Sequence, residues 1–168
     1  LDLPGHSAPA VGFEVPLEMM AACHGRVQAQ CATLRRLAAH LAGPGADRQA
    51  QDSAAAVMRY FTTSAVHNLA DEEIDLFPAL IESVAGSDAV CVRELTASLV
   101  AEHRELEQRW HALHRRLEQV TRADAATLPV DEVHGFIDLY ERHIAREEAE
   151  LLPMAGRLLS DAELDRIG

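Results

Sequence analysis

Four of the chain's nine histidines, His24, His67, His103 and His143, stand at matching distances from the turns between its helical stretches. His24 lies about 21 residues before Gly45 and His67 about 22 after it, while His103 and Glu72 lie about 17 and 14 residues either side of Gly86. In antiparallel helices, equal distances from a shared turn mean equal heights, so each helix presents one imidazole at mid-height. Carboxylates accompany two of them. His143 and Glu147 are i and i+4, separated by about 6 Å of rise and 40° of rotation, so both reach one point and can ligate one metal or bracket two. Around His67, Asp71 is the i+4 partner and Glu72 the i+5 partner, about 140° away; local geometry favours Asp71 and the inward stripe favours Glu72. DEEIDLFP at 71–78 and REEAELLP at 146–153 are one phrase written twice, and alignment on Pro78 and Pro153 sets Glu72 opposite Glu147. Two carboxylates facing across a core are what a bridged two-metal site needs.

An unpaired charge in a core costs several kcal/mol and is protonated instead, so such carboxylates need partners. One solution is a polar seam of Arg–Glu and His–Glu pairs that fixes helix register, for which Arg104, Arg142 and Arg146 are at hand. The other is two or more cations. Imidazole nitrogen with carboxylate oxygen and no thiolate suits iron, manganese or zinc. Two six-coordinate ions have about twelve ligand places, of which four histidines and two bridging glutamates fill about eight. A bridging oxo or hydroxo group takes two more, leaving about two for a small molecule such as dioxygen. His40, His111, His114 and His134 fall at other heights and read as surface or packing residues.

Helices must position these groups. From Leu17 to Leu41 apolar residues recur at three- and four-residue steps until Gly43-Pro44-Gly45 ends the run. A second run carries Val57, Phe61, Ala65, Leu69, Leu76 and Leu80 toward Gly86, with Asp47 as a cap near its start and Pro78 kinking its last turns. Ser87 and Asp88 can cap a third, striped by Val92, Leu99, Leu106, Leu113 and Val120. Pro129 at a first turn opens a fourth, through Val133, Ile137, Ile144 and Leu151. Ser160 with Glu163 offers a capping box for a short terminal helix. No alternating β-branched run appears. The expected fold is all-α: an up-down-up-down four-helix bundle over about 16–157 with a short C-terminal helix, in a single domain spanning 1–168 whose residues 1–15 form an irregular arm.

Composition narrows the functions. One core serves 168 residues, and an apolar fraction of 48% with 25% charged residues is globular. A net charge of −12 repels phosphate backbones and anionic lipid, so neither nucleic acid nor membrane is expected as a partner. All 15 basic residues are Arg, a usage that fits GC-rich bacterial coding. Cys23, Cys31 and Cys91 are odd in number and form no C-x-x-C, which fits a reducing cytoplasm. No basic segment followed by an apolar one stands among the first residues, so an unsecreted protein is expected, and no stretch approaches the roughly 20 apolar residues that span a bilayer.

These motifs resemble the hemerythrin-like, or HHE cation-binding, domain. The resemblance runs from about Pro16 to Arg157 and rests on LEMMAACHGRV, HNLADEEIDLFPAL, AEHRELEQRW and ERHIAREEAELLPMA, the last being the most specific. It implies a four-helix bundle around a non-haem di-iron centre with His24, His67, Glu72, His103, His143 and Glu147 as ligands and the two glutamates bridging. The chain departs from the oxygen-carrying members, which place histidines at i and i+4 in the third helix; here Glu107 follows His103 at that spacing. Glu107 is left to ligate, to hold a bound water or to orient His103. An additional open position favours oxidised iron, so sensing or handling dioxygen, nitric oxide or iron is expected rather than stable oxygen carriage. The alternative is a di-iron oxidoreductase acting on Fe(II), peroxide or a nitrogen oxide. The i+5 spacing of His67 and Glu72 is the second departure.

Overall fold

The computed structural model describes residues 15–124 and 127–167. The arm expected over 1–15 therefore lies outside the described residues, except for Val15, where the first helix begins. Four helical rods run up and down in turn. The first is α1 (Val15–Leu41). The second is interrupted: α2 (Arg48–Thr62), α3 (Ser64–Asp71), a π turn π1 (Glu72–Leu76) and α4 (Phe77–Ser83). The third, α5 (Ser87–Thr121), is continuous. The fourth is α6 (Val130–Arg146), a second π turn π2 (Glu147–Leu151) and α7 (Leu152–Leu158), after which α8 (Asp161–Ile167) closes the chain. No strand occurs among the described residues, and none of their helices is long and apolar enough to cross a membrane.

The turns follow from local chemistry. Asp47 caps α2, accepting from the Ala50 amide at 2.9 Å, and its other oxygen meets His40 Nε2 at 3.0 Å, which ties the end of α1 to the start of α2. Gly86 takes φ 67° and ψ −139°, a conformation closed to side chains, so it and not Ser87 or Asp88 occupies the cap position of α5. Pro129 likewise sits one residue earlier than expected, capping α6 just ahead of Val130. Half of the terminal capping box forms: the Ser160 amide donates to Glu163 Oε2 at 2.8 Å, while the Ser160 hydroxyl donates to the same oxygen at 2.6 Å and the Glu163 amide reaches the Ser160 carbonyl at 3.0 Å.

The two π turns share one cause. Pro78 and Pro153 lack an amide hydrogen, and their rings collide with the carbonyl four residues back in a regular helix. Each rod widens by a turn just before its proline, with the Phe77 and Leu152 amides reaching back to the Glu72 and Glu147 carbonyls. The expected kink at Pro78 is thus a widened turn that begins at the candidate carboxylate.

Buried apolar residues form two cores. One holds Leu34, Val57, Phe61, Leu113, Leu117, Phe136 and Ile137; the other holds Leu76, Phe77, Leu80, Leu99, Leu151, Ala155 and Leu164. On every rod a polar residue stands where the chain passes from one core to the other: His24 ahead of Val27, Glu72 between Ala65 and Leu76, His103 between Leu99 and Leu106, and His143 with Glu147 between Tyr140 and Leu151. The site is a polar layer sandwiched by two dry ones. Leu113 is fully buried in the first core. Its replacement by alanine is expected to lower the unfolding free energy of the metal-free protein by about 2–5 kcal/mol in urea titration, and a loss under about 1 kcal/mol would contradict this packing.

Candidate metal centre

Each donor is delivered by helix periodicity. Glu72 projects inward because Ala65, the buried residue of α3 seven positions before it, marks the inner face of that helix. His143 and Glu147 share the inner face of α6 at i and i+4, and His103 continues the stripe of Leu99 and Leu106 on α5. His24 faces inward from α1 beside Val27. All five are buried, His103, His143 and Glu147 to 1% exposure.

They converge on one another. His103 Nε2 stands 3.2 Å from His143 Nε2 and 3.2 Å from Glu72 Oε2. His143 Nε2 is 3.2 Å from Glu147 Oε1, while the other oxygen of Glu147 is 3.1 Å from His24 Nε2, so this carboxylate spans two histidines. One ligand atom from each of Glu72, His103, His143 and Glu147 lies within 4.8 Å of all the others.

A shell of outer carboxylates fixes the rings. His24 Nδ1 meets Glu148 Oε1 at 3.1 Å, His103 Nδ1 meets Glu73 Oε1 at 2.7 Å, and His143 Nδ1 meets Glu102 Oε2 at 2.8 Å. Arg146 in turn holds Glu102 at 2.8 Å and Ser98 at 2.6 Å, and Arg104 holds Glu73. A carboxylate only accepts, so each Nδ1 carries the proton and each Nε2 of a neutral ring presents a lone pair to the centre. With both rings neutral, two lone pairs would face each other at 3.2 Å between His103 and His143, a clash that a proton or a cation relieves, and His24 Nε2, Glu72 Oε2 and Glu147 Oε1 are buried without a well-directed hydrogen bond. Separations just above 3 Å are the edges of a coordination polyhedron whose metal–donor bonds are about 2.1 Å. The donor set therefore fits a cation.

His67 does not join the group. It is exposed on α3, and the reason is azimuth: with Ala65 and Glu72 facing in, His67 lies roughly 140° around the helix from Glu72. Matching height placed it level with the other histidines but on the wrong side of the rod, which corrects the expectation of one inward histidine per helix. Of the carboxylates left open, Asp71 and Glu107 are both exposed, Glu107 lying 4.0 Å from Arg104. Tyr140 is buried edge-on to His143 at 6.3 Å between ring centroids, and Phe77 stacks on His103 at 5.9 Å. Cys23 accepts from Arg26 at 2.8 Å and is no ligand of the four-residue cluster. Sequence reasoning missed Glu73, Glu102 and Glu148. The signal was present, since Glu73 and Glu148 are the second letters of the same Glu-Glu doublet in the repeated phrase and Glu102 adjoins His103.

Proton affinities follow from this packing. Burial opposes charge on His143, but the hydrogen bond and charge of Glu147, with Glu102 behind, outweigh it and hold its pKa at about 9 against an ordinary 6.5. Burial is likewise outweighed at His24, raised by Glu147 and Glu148. Burial and the charge of Glu147 push Glu72 up; Glu147 goes down, against its own burial, because His143 and His24 donate to it. The raised groups hold protons more firmly when folded, so the histidine contribution is complete below pH 6.5 and is lost as pH climbs through about 9. Glu147 acts in the opposite sense and matters only in acid, below its ordinary 4.5. The metal-free protein in EDTA should therefore lose several degrees of melting temperature between pH 6.5 and 9, followed by circular dichroism. With a divalent cation bound the loss should shrink or vanish, because the metal replaces those protons. A melting temperature that rises across this range in EDTA contradicts the assignment.

Comparison with known proteins places the chain in a family. The chain is 31% identical over 153 residues to a protein of Haemophilus influenzae described as uncharacterized, covering 91% of this chain and 86% of that one. The family model for the hemerythrin HHE cation binding domain matches residues 15–155, a span that takes in all five convergent side chains. The chain belongs to the hemerythrin HHE cation-binding domain family.

Proposed function

We propose that the buried centre holds two iron ions bridged by Glu72 and Glu147, with His24, His103 and His143 as terminal ligands, and that the protein senses or handles dioxygen, nitric oxide or iron. The observation that carries this reading is the meeting of two imidazole Nε2 atoms at 3.2 Å beside two buried carboxylates, each ring locked at Nδ1 by an outer carboxylate, in a layer flanked by apolar cores on both sides. Of the ion-pair seam that the sequence leaves open, the Arg–Glu part does not reach the centre: Arg104 and Arg146 hold Glu73 and Glu102, not Glu72 or Glu147, so only His–Glu pairs remain there. Nitrogen and oxygen donors without thiolate favour iron, with manganese or zinc as competitors.

Iron in this setting supplies one-electron chemistry and coordination places for a small molecule. The chain's own residues decide what reaches it. Leu76, Phe77 and Leu151 on one side and Leu106, Tyr140 and Ile144 on the other flank the centre with apolar side chains, which strengthens electrostatic interactions within it. A cavity of about 520 Å³ between α3 and α5 runs from the surface to His103, walled by Phe61, Leu69, Leu106, Trp110 and Phe136. Apolar walls of this kind suit an uncharged diatomic molecule better than a phosphate or a sugar.

Metal-free protein equilibrated anaerobically with excess Fe(II) should bind about two irons per chain, and admitting air should bring up oxo-bridge charge-transfer absorption in the visible. His67→Ala should load as the parent does. Folded protein that retains no iron would falsify the reading.

A further inference from the structure

The repeated phrase extends into three dimensions, and one position breaks it. Both π turns begin at a bridging glutamate, Glu72 in one rod and Glu147 in the other, and each is followed by a proline-led helix of equal length. The contacts repeat as well. Glu72 meets His103 Nε2 while Glu73 holds the same ring at Nδ1; Glu147 meets His24 Nε2 while Glu148 holds that ring at Nδ1. The pseudo-twofold thus exchanges Glu72 with Glu147, Glu73 with Glu148, and His103 with His24. Carried back four residues from each glutamate, it pairs His143 with Asn68.

The two halves of the centre are therefore furnished unequally. On one side His143 joins His103, and with Glu72 and Glu147 they form the compact four-donor group. On the other, the place that should hold a second imidazole carries an amide, whose nitrogen is no donor to a cation and whose oxygen is a weak neutral one. His67, one residue away, is on the outer face and cannot replace it. In place of the missing ring there is space: a cavity of about 180 Å³ bordered by Cys23, His24, Asn68, Asp71 and Glu72.

We infer that the centre has one strong and one weak metal position. The first cation binds to His103, His143, Glu72 and Glu147; the second binds to His24 and the shared carboxylates, completed by Asn68 or water from the cavity, and exchanges with the surroundings. Occupancy of the second position then follows free metal concentration, which makes it the responsive element of a protein that reads iron level. This rests on the metal-binding reading above.

Stepwise titration of the full metal-free chain with Fe(II) under anaerobic conditions, against a competing chelator, tests it. The parent should show two steps, the second weaker by about tenfold or more. Asn68→His should strengthen the second step by about tenfold and leave the first unchanged; Asn68→Asp, closer in size, serves the same purpose if the histidine variant loses helical circular dichroism. His24→Ala should abolish the second step alone. Two equal steps in the parent, a folded Asn68 variant with an unaltered second step, or loss of both steps in His24→Ala overturns the asymmetry while the metal centre stands. No uptake by the parent overturns the metal-binding reading and the asymmetry with it.

Discussion

Everything in this molecule is arranged around a layer of imidazole nitrogens and carboxylate oxygens that point at each other inside an apolar bundle. Buried carboxylates and imidazoles without partners cost several kcal/mol each, more than a domain of this size tolerates unless something returns that free energy. A cation does so, and its attraction is strongest where solvent is excluded. The layer is placed for that: apolar residues close it from both sides, and the rods that cross it each contribute at the same level. Without a cation the layer relies on protons, which is why His143 and His24 are held protonated above their ordinary range while Glu147 stays charged.

The outer carboxylates and the π turns make this layer rigid. A histidine free to rotate would point either nitrogen inward; Glu73, Glu102 and Glu148 leave only Nε2 for the centre. Arg146 and Arg104 anchor two of these carboxylates to the bundle surface, so the orientation of a buried ring is set by an ion pair near solvent. The π turns serve Glu72 and Glu147 in a comparable way. Each begins at the glutamate itself, where the wider helix absorbs the proline a turn later and lets the apolar stripe resume at Leu76 and Leu151.

Much of this was legible in the sequence, and the limits have physical causes. Apolar spacing located the four rods, Gly45 and Gly86 marked two turns, and Ser160 with Glu163 announced the last helix, because these signals are local. Glu72, Glu147, His24, His103 and His143 could be named from height and stripe together. His67 was misplaced because height was used without azimuth; the preference for Glu72 over Asp71 already placed His67 outside the inner face. The π turns are silent in apolar periodicity, since one extra residue per turn looks like ordinary irregularity, and only the paired prolines hint at them. The outer carboxylates were hidden among 27 acidic residues, most of which do no such work, and only the duplicated Glu-Glu doublet set two of them apart.

The account stands on a cation lying between His103 and His143, and a crystal structure of the metal-loaded protein with anomalous data collected at the iron edge tests that directly. The account predicts an anomalous peak about 2.1 Å from Nε2 of both rings, in contact with Glu72 and Glu147, while His67 remains at the surface. A folded, metal-loaded protein whose peaks lie elsewhere, or whose two imidazoles face each other with no peak between them, would contradict it.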